Sequence, residues 1–262
     1  MMNNFSDYKS HMTLGDNGNG FEMPKEIIAN GLDGCDYGNV KGPIKDLLRL
    51  IFGSVNDNEV VHCRLLTGCK PDFSIKIGSN SKNVSIFIGS GISVHQENID
   101  GFISFCRSVG LTNDEESSLR LVYYGDGTLN GTGPVSNRLT ADEIKNEYFM
   151  DVDIVQRFFD RHRRELAKRF LVTGKDSSNP QADYVFYGTN SNGFFCSYID
   201  VLDYIENYRG SNNGLLSIGP LSFQMWNRNL SGASETEYKR ESLQIKWPSM
   251  SDHIACAKKC LY

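Results

Sequence analysis

The chain has 262 residues, of which 39% are hydrophobic and 23% charged, as in an ordinary globular protein that forms one large domain or two small ones. No stretch approaches the roughly 18 apolar residues of a membrane span, and residues 1–6 lack the basic and apolar segments of a secretory signal. The net charge of −5 does not indicate a nucleic-acid-binding protein, but it does not exclude one, because affinity for phosphate depends on local lysines and arginines.

The first half of the chain is predicted to form two helices and then a β-rich block. A Gly- and Asn-rich stretch, residues 13–20, precedes them and is expected to be flexible. Pro24 is tolerable in the first turn of one helix, and Pro43 opens the other. The helices are predicted at Phe21–Gly31 and Ile44–Phe52, and the strands at Val60–Leu66, Asp72–Ile77 and Val84–Ile88, with a turn cluster at Gly78–Lys82.

The second half mixes helices and strands. The spacing from Val94 to Cys106 predicts a helix, and Thr140 with Glu143 fits a capping box that starts another. This mixture predicts an α/β or α+β fold with a mixed sheet. The other predicted elements are strands at Leu119–Tyr124, Ala182–Tyr187, Leu215–Ile218, Leu221–Trp226 and Ser242–Trp247, helices at Val152–Phe170 and Ile199–Tyr208, and a helical turn at Cys256–Leu261.

The seven cysteines are an odd set with scattered spacing. The closest pair, Cys256 and Cys260, has no histidine or second pair after it, which disfavours a zinc site. We therefore expect reduced and mostly buried thiols, as in an intracellular protein.

A cluster of basic residues lies at 157–169. Two interpretations remain open: a surface that contacts nucleic-acid phosphates, or a solvated helix face. The cluster contains Arg157, Arg161, His162, Arg163, Arg164, Lys168 and Arg169.

The segment from Pro71 to Ile88 has the order of groups of a metal-dependent nuclease core. Hydrolysis of a phosphodiester needs a divalent metal, and Mg²⁺ prefers oxygen ligands such as carboxylates. A lysine beside the metal would orient or deprotonate the attacking water and offset the charge of the phosphate. Asp72 supplies the acid, Ser85 stands in the second ligand position, and Phe87 stands where the lysine belongs.

The expected hairpin brings these positions together. Alternation places Ser85 and Phe87 on one face of the second strand, and closure around Gly78–Lys82 would bring Asp72 near Phe87 and Ile88. The alternative is that Pro71-Asp72 is a turn that starts a strand.

Other charged residues can complement this core. Lys76 and Lys82 lie too far along the strands to replace the lysine easily. Glu22 or Glu26 of the first helix can supply another carboxylate, unless both are helix-surface charges.

Taken together, the segments from about Gly20 to Trp247 resemble the PD-(D/E)XK nuclease superfamily. Within it, they are most similar to the small type II restriction endonucleases of the HinP and Msp type, which cut four-base palindromes. The resemblance is one of motif order, carried by Gly20-Phe21 with Lys25–Ala29, Pro71-Asp72, Asn83–Ile86, Val94–Asp100, Ala182–Val185, Leu221–Arg228 and Ser242–Lys246.

The resemblance implies Asp72 as the metal-binding acid and Ser85 as the second ligand, a position that in this group can be Gln or Asn. Phe87 departs from the lysine that the family needs, because phenylalanine cannot donate, accept or carry charge. A misplaced alignment, a catalytically dead relative, or another group that has moved in would each explain the departure.

The resemblance also implies DNA contacts. Gln96 would lie near the DNA, at the start of a helix that approaches the bases, unless it is simply an exposed residue. A polar loop would read base edges, because Arg suits guanine and Asn suits adenine; an exposed hairpin turn is the alternative. Its residues are Arg228, Asn229, Ser231, Ser234, Glu235, Lys239 and Arg240.

The expected architecture is a restriction-endonuclease-like mixed central sheet flanked by helices, in a single domain over residues 1–262. Residues 211–262 would form a β-rich, DNA-reading subregion. The first functional hypothesis is a cytoplasmic, Mg²⁺-dependent type II restriction endonuclease, a monomer or homodimer, that cuts duplex DNA at a short palindrome and has a companion methyltransferase. The second is a catalytically dead DNA-binding relative, and the third is an unrelated cytoplasmic protein with no DNA role.

Overall fold

The computed structural model describes residues 22–88, 92–188, 192–212, 214–225 and 240–259. The chain divides into two compact units. The first takes the described residues of Met1–Ile92, Leu171–Tyr204 and Ser249–Tyr262, and the second takes those of Ser93–Phe170 and Ile205–Pro248.

The helices are α1 (Glu22–Leu32), α2 (Gly42–Phe52), α3 (Ile99–Ser108), α4 (Asn113–Tyr124), α5 (Ala141–Glu147), α6 (Phe149–Arg161), α7 (Arg163–Lys168), α8 (Tyr198–Glu206) and α9 (Met250–Lys259). The strands are β1 (Cys35–Asp36), β2 (Val60–Leu65), β3 (Phe73–Ile77), β4 (Asn80–Phe87), β5 (Ser93–Asn98), β6 (Tyr184–Gly188), β7 (Gly193–Ser197), β8 (Leu216–Ile218), β9 (Leu221–Met225) and β10 (Ser242–Lys246).

The first unit is built on a six-stranded sheet in the order β1-β2-β3-β4-β6-β7. Neighbouring strands are antiparallel except β4 and β6, which are parallel. Helix α1 packs against β2, while α2 and α9 pack against β7. The predicted α+β class, with a mixed sheet flanked by helices, is confirmed.

Two helices cover this sheet because each carries an apolar stripe. In α1 the buried stripe is Ile28, Ala29 and Leu32, a spacing that repeats once per helical turn. Pro43 lies in the first turn of α2, where its missing N–H costs no helical hydrogen bond. The shared core also contains Ile44, Leu47, Leu48, Val61, Cys63, Phe73, Ile75, Ile77, Val84, Ile86, Phe186 and Phe195.

The β3–β4 hairpin has a tighter turn than the sequence predicts. Ile77 pairs with Asn80, so the turn is Gly78 and Ser79 alone, and Gly78 takes a φ of 58° that favours glycine. Phe73 is therefore opposite Val84. The expected position of Asp72 beside Phe87 and Ile88 was wrong, because the shorter turn brings it beside Ser85 and Ile86.

The second unit is built on a four-stranded antiparallel sheet in the order β5-β10-β9-β8. Phe223 of β9 is buried on one face, with the rings of Phe102 and Phe159 at 5.5 and 5.3 Å between centroids. Because aromatic rings bury large apolar areas, this cluster holds α3 and α6 against the sheet.

Two elements differ in type from the prediction. Residues 93–98 are a strand rather than the start of a helix, because backbone pairing with β10 overrides the apolar spacing. Leu119–Tyr124, predicted as a strand, is the end of α4. Thr112 and Glu115 form a capping box that starts this helix, and its buried residues Leu119, Val122 and Tyr123 have helical spacing.

One predicted helix is divided in the structure, and one strand was not predicted. The single helix predicted at Val152–Phe170 is α6 and α7, separated at His162 and followed by a π-helical turn at Arg169–Thr173. Strand β7 has no predicted counterpart, because Phe194, Phe195 and Cys196 are consecutive apolar residues without alternation. The capping box at Thr140 and Glu143 is confirmed.

The cysteines within the described residues are free thiols, and Cys63, Cys106 and Cys196 are buried as predicted. Burial raises the pKa of the Cys63 and Cys196 thiols to about 12, which makes them inert packing groups. Cys256 is exposed, and Cys260 lies outside the described residues. None of the helices in the described ranges is long and apolar enough to cross a membrane.

Candidate functional site

Asp72 lies immediately before β3, where that strand stops pairing with β4. Its backbone N–H donates to the carbonyl of Val84 at 2.9 Å, and its Oδ2 accepts the N–H of Ile86 at 2.6 Å. Beyond this point β4 continues beside β6. The Asp72 side chain is 20% exposed. The end of the hairpin therefore presents a fixed carboxylate that solvent can still reach.

Lys25 of α1 places a cation on this carboxylate. Its Nζ lies 2.6 Å from Oδ1 of Asp72, and its side chain is 25% exposed. Lys25 precedes the buried Ile28 by three residues, so it continues the apolar stripe of α1 by one turn. Sequence reasoning assigned Lys25 no role, although it lies in register with the apolar stripe of α1.

Ser85 and Tyr198 lie next to the carboxylate. Ser85 is 1% exposed, and its hydroxyl donates to the carbonyl of Lys70 at 3.4 Å. Burial raises the pKa of the Tyr198 phenol, which lies beside the Ser85 hydroxyl.

Phe87 is partly exposed and pairs with Tyr187 of β6. Alternation along β4 puts it on the same face as Ser85, as expected. The position that the resemblance gives to a lysine is therefore adjacent to the site, and its side chain carries no charge.

The carboxylates near Asp72 are few. Within the described ranges, no group of three or more His, Cys, Asp or Glu side chains could hold a metal ion. Glu26 is exposed, and Lys25 rather than Glu26 is the α1 residue that contacts Asp72; the side chain of Glu22 lies outside the described residues. Mg²⁺ is usually held by one or two carboxylates plus water and substrate phosphate. Among the described residues at this position, Asp72 is the carboxylate that would hold this ion, with a substrate contributing further oxygens.

The second unit carries a row of three glutamines across adjacent strands. Gln96 of β5 is opposite Gln244 of β10, which is opposite Gln224 of β9. Gln96 is exposed and the other two are partly exposed. Within the described part of the chain, none of the three glutamine side-chain amides has a hydrogen-bond partner. We call this set the amide row.

The sheet face around the amide row is polar throughout. Because direct partners share a face, Ser217, Ser222, Ser242, Lys246 and Asn98 lie beside it. The expected location of Gln96 at the start of a helix was wrong, since it lies within a strand. Sequence reasoning missed Gln224 and Gln244 because the sequence alone does not show how β9 and β10 align with β5.

Arg240, expected in an exposed reading loop, is 7% exposed and lies just before β10. Its guanidinium pairs with Asp126 at 2.7 Å and donates to the carbonyl of Tyr124, while Tyr123 donates to the Arg240 carbonyl. This residue anchors the start of β10 rather than projecting into solvent. The predicted contacts Arg228, Asn229, Ser231, Ser234 and Lys239 lie outside the described residues.

The basic cluster at 157–169 is largely neutralised. Arg161 pairs with Glu115, and Arg164 pairs with Glu206. Ion pairs that offset each charge weaken an attraction to phosphate. The remaining pairs are Arg157 with Asp153, Arg163 with Asp160, and Arg169 with Glu97.

The last of these pairs belongs to a buried cluster on the core side of β5. Glu97, 2% exposed at its side chain, accepts two hydrogen bonds from Arg169 and lies 2.9 Å from Nε2 of His95. Burial would raise the pKa of Glu97, but these hydrogen bonds hold it below the usual range. The Arg169 guanidinium also lies 4.5 Å from the Phe105 ring centroid. All of these groups find their partners inside the protein.

No protein-family model matches the chain, and no curated protein matches it in sequence. Among solved structures, the fold is similar to that of restriction endonuclease MspI in complex with its cognate DNA, with a TM-score of 0.56 over 86% of this chain and 88% of that chain. The two sequences are 14% identical, so the likeness is one of fold. The chain has a restriction-endonuclease-like fold, as its motif order predicts.

Proposed function

We propose that this chain is a restriction-type nuclease that hydrolyses phosphodiester bonds of duplex DNA at a short palindromic site. The observation that carries the proposal is the accessible Asp72 carboxylate, with Lys25 at 2.6 Å, at the end of the central sheet of a restriction-endonuclease-like fold. The similar solved structure contains cognate DNA, which supports DNA as the partner.

Mg²⁺ is the proposed cofactor, held by Asp72, the Ser85 hydroxyl and oxygens of the DNA phosphate. When bound, the ion polarises the phosphate and activates water. Asp72 keeps its orientation through the Ile86 N–H, so that one oxygen faces Lys25 and the site. With one carboxylate from the described residues, binding of the ion should depend strongly on DNA.

The amide row is the proposed base-reading surface. A glutamine can bond both the N6 amino group and N7 of adenine in the major groove. Neighbouring strands are about 4.8 Å apart, so a row of three amides spans several base pairs, which rise about 3.4 Å each. The proposed contacts Arg228, Asn229, Ser231, Ser234 and Lys239 lie in the chain between β9 and β10, the strands that carry two of the glutamines.

The test is cleavage of unmethylated plasmid DNA with Mg²⁺ and with EDTA, by the natural chain and by Asp72→Asn. We expect metal-dependent cleavage by the first protein and none by the second, while both bind DNA in Ca²⁺. Retained cleavage by Asp72→Asn would refute the site.

A second candidate function is DNA binding without cleavage. Two features favour it: Phe87 carries no charge, and the described residues supply one carboxylate at the site. Both weaken the set of charged groups that hydrolysis needs. Binding without cleavage in Mg²⁺ or Mn²⁺ would support this candidate. Absence of DNA binding would instead support an unrelated protein.

The nuclease proposal also carries expectations about domain organisation, localisation and partners. We expect residues 1–262 to act as one cytoplasmic domain, a monomer or homodimer, whose residues 211–262 contribute to DNA reading. A nuclease of this kind needs a companion methyltransferase, since the same palindrome occurs in the host's own DNA.

A further inference from the structure

Helix α1 places a cation beside Asp72, whereas β4 carries an uncharged residue at position 87. Phe87 shares a face of β4 with Ser85 and cannot carry charge. Lys25 reaches the same carboxylate from α1, a different element, with its Nζ 2.6 Å from Asp72. The two lysines of the hairpin do not contact Asp72: Lys76 is exposed opposite Ser81, and Lys82 lies 3.5 Å from Asp183.

The position of Lys25 in α1 is informative. It continues the stripe of Ile28 and Ala29, which are 1% and 4% exposed, yet it is a lysine. The long apolar stem of lysine can pack along that stripe while its ammonium group stays at the edge that solvent reaches. The Lys25 side chain is a quarter exposed, so an ammonium group fixed by Asp72 at this edge can contact a further anion.

We propose that Lys25 is a catalytic residue that supplies, from α1, the positive charge that a lysine at position 87 would supply. This inference rests on the proposed function. In the reaction, the oxygen of water bonds to phosphorus, one P–O ester bond breaks, and the released oxygen takes a proton that water supplied. Lys25 keeps its own proton throughout, holds a non-bridging phosphate oxygen and offsets the charge that builds up there.

A purely structural ion pair is the competing explanation. Ion pairs that water can still reach typically contribute about 1 kcal/mol or less to stability, so Lys25→Met should lower the melting temperature by no more than about 4 °C. A large loss of cleavage in a variant that melts normally therefore cannot come from unfolding. The salt dependence of DNA binding separates the two roles further, because a lysine on a phosphate adds about 0.9 to the slope of log affinity against log salt.

The experiment compares the natural chain with Lys25→Met, Lys25→Arg, and the double variant Lys25→Met with Phe87→Lys. Lys76→Met is the matched control, since it removes an exposed lysine from the hairpin that carries Asp72. Three quantities are measured: plasmid cleavage in Mg²⁺, DNA affinity in Ca²⁺ from 50 to 300 mM salt, and the melting temperature.

We expect Lys25→Met to lose about 10²–10⁴-fold in cleavage rate and about one unit of salt slope. Lys25→Arg should keep part of the rate, because the charge remains. The double variant should recover at least about tenfold over Lys25→Met, since its lysine returns to the same face as Ser85, and Lys76→Met should match the natural chain.

Three results would overturn the inference. Cleavage by Lys25→Met at the natural rate would make Lys25 structural while leaving the nuclease proposal intact, provided that Asp72→Asn is inactive. Loss of cleavage with an unchanged salt slope and no rescue by Phe87→Lys would assign Lys25 to positioning Asp72. Absence of cleavage by the natural chain would refute the nuclease proposal. If, in that case, Lys25→Met also kept the natural salt slope of DNA binding, Lys25 would not contact a phosphate.

Discussion

Each compact unit contains a carboxylate paired with a cation, and the two pairs differ in what surrounds them. Asp72 and Lys25 are 20% and 25% exposed, and each retains access to solvent. Glu97 and Arg169 are 2% and 11% exposed, and His95 and the Phe105 ring complete their surroundings. The enclosed pair has its partners within the protein, whereas the accessible pair can still bind a ligand.

The two ion pairs have the same kinds of charged groups but should differ in what they contribute to the protein. Removing one partner of a buried pair leaves a charge in a poorly solvated place and typically costs about 3–5 kcal/mol. Exposed pairs are typically worth about 0–1 kcal/mol, because water solvates whichever group is left. We therefore expect the Glu97 cluster to determine stability and the Asp72 pair to determine activity.

The largest stability effect is expected for Glu97→Gln. The substitution leaves the Arg169 guanidinium without its anion, so the free energy of unfolding should fall by about 3–5 kcal/mol. Urea denaturation measures it. The matched control is Asp153→Asn, whose pair with Arg157 is 63–64% exposed and should matter by less than about 0.5 kcal/mol. Equal losses in the two variants would contradict the distinction between enclosed and accessible pairs.

Arg240→Met should come next, with a loss of about 3 kcal/mol. Asp126 is fully buried at its side chain and would lose its cation, although Thr128 and Gly133 still donate to it. DNA sequence preference of the folded variant should stay unchanged, since Arg240 is enclosed. If Arg240→Met were as stable as the natural chain but had a weaker DNA sequence preference, Arg240 would belong to the base-reading surface.

Sequence patterns predicted the elements whose signals are local. Helix α1 and the capping box at Thr140 each depend on residues close in the chain. Strand β5 was mispredicted because its pairing with β10, about 150 residues later, decides its conformation. The hairpin was recognised, but its register was not, because a two-residue turn and a five-residue turn were both compatible with Gly78–Lys82.

The candidate site was harder to predict because its parts come from distant segments. Lys25 and Asp72 are 47 positions apart, and the way α1 packs on the sheet brings them together. Gln224 and Gln244 align with Gln96 through registers that no single strand reveals. Motif order proposes Asp72 as the acid and shows the departure at Phe87, but only the tertiary contact shows that Lys25 lies beside Asp72.

Acidification should weaken the enclosed cluster. The pKa of Glu97 is held below its ordinary value of 4.5, so the folded state gains stability above that pH and loses it as the pH falls through the lowered pKa. Each unit of depression corresponds to about 1.4 kcal/mol. Urea denaturation from pH 7 to pH 3 should show a decline below about pH 4.5 that is shallower in Glu97→Gln. An identical decline in both proteins would assign the acid sensitivity to other carboxylates.

Apart from the Asp153→Asn control, the smallest stability effect is expected for Asp72→Asn, the change that should abolish cleavage. The asparagine side-chain oxygen can still accept the Ile86 N–H, so the end of the hairpin stays closed, and Lys25 remains partly solvated. The free energy of unfolding should therefore change by less than about 1 kcal/mol, while the loss of cleavage is complete. Urea denaturation and plasmid cleavage on the same preparation measure both quantities. A loss of stability as large as that of Glu97→Gln would show that Asp72 is a structural residue, and its pair with Lys25 would then belong with the enclosed cluster rather than with a site.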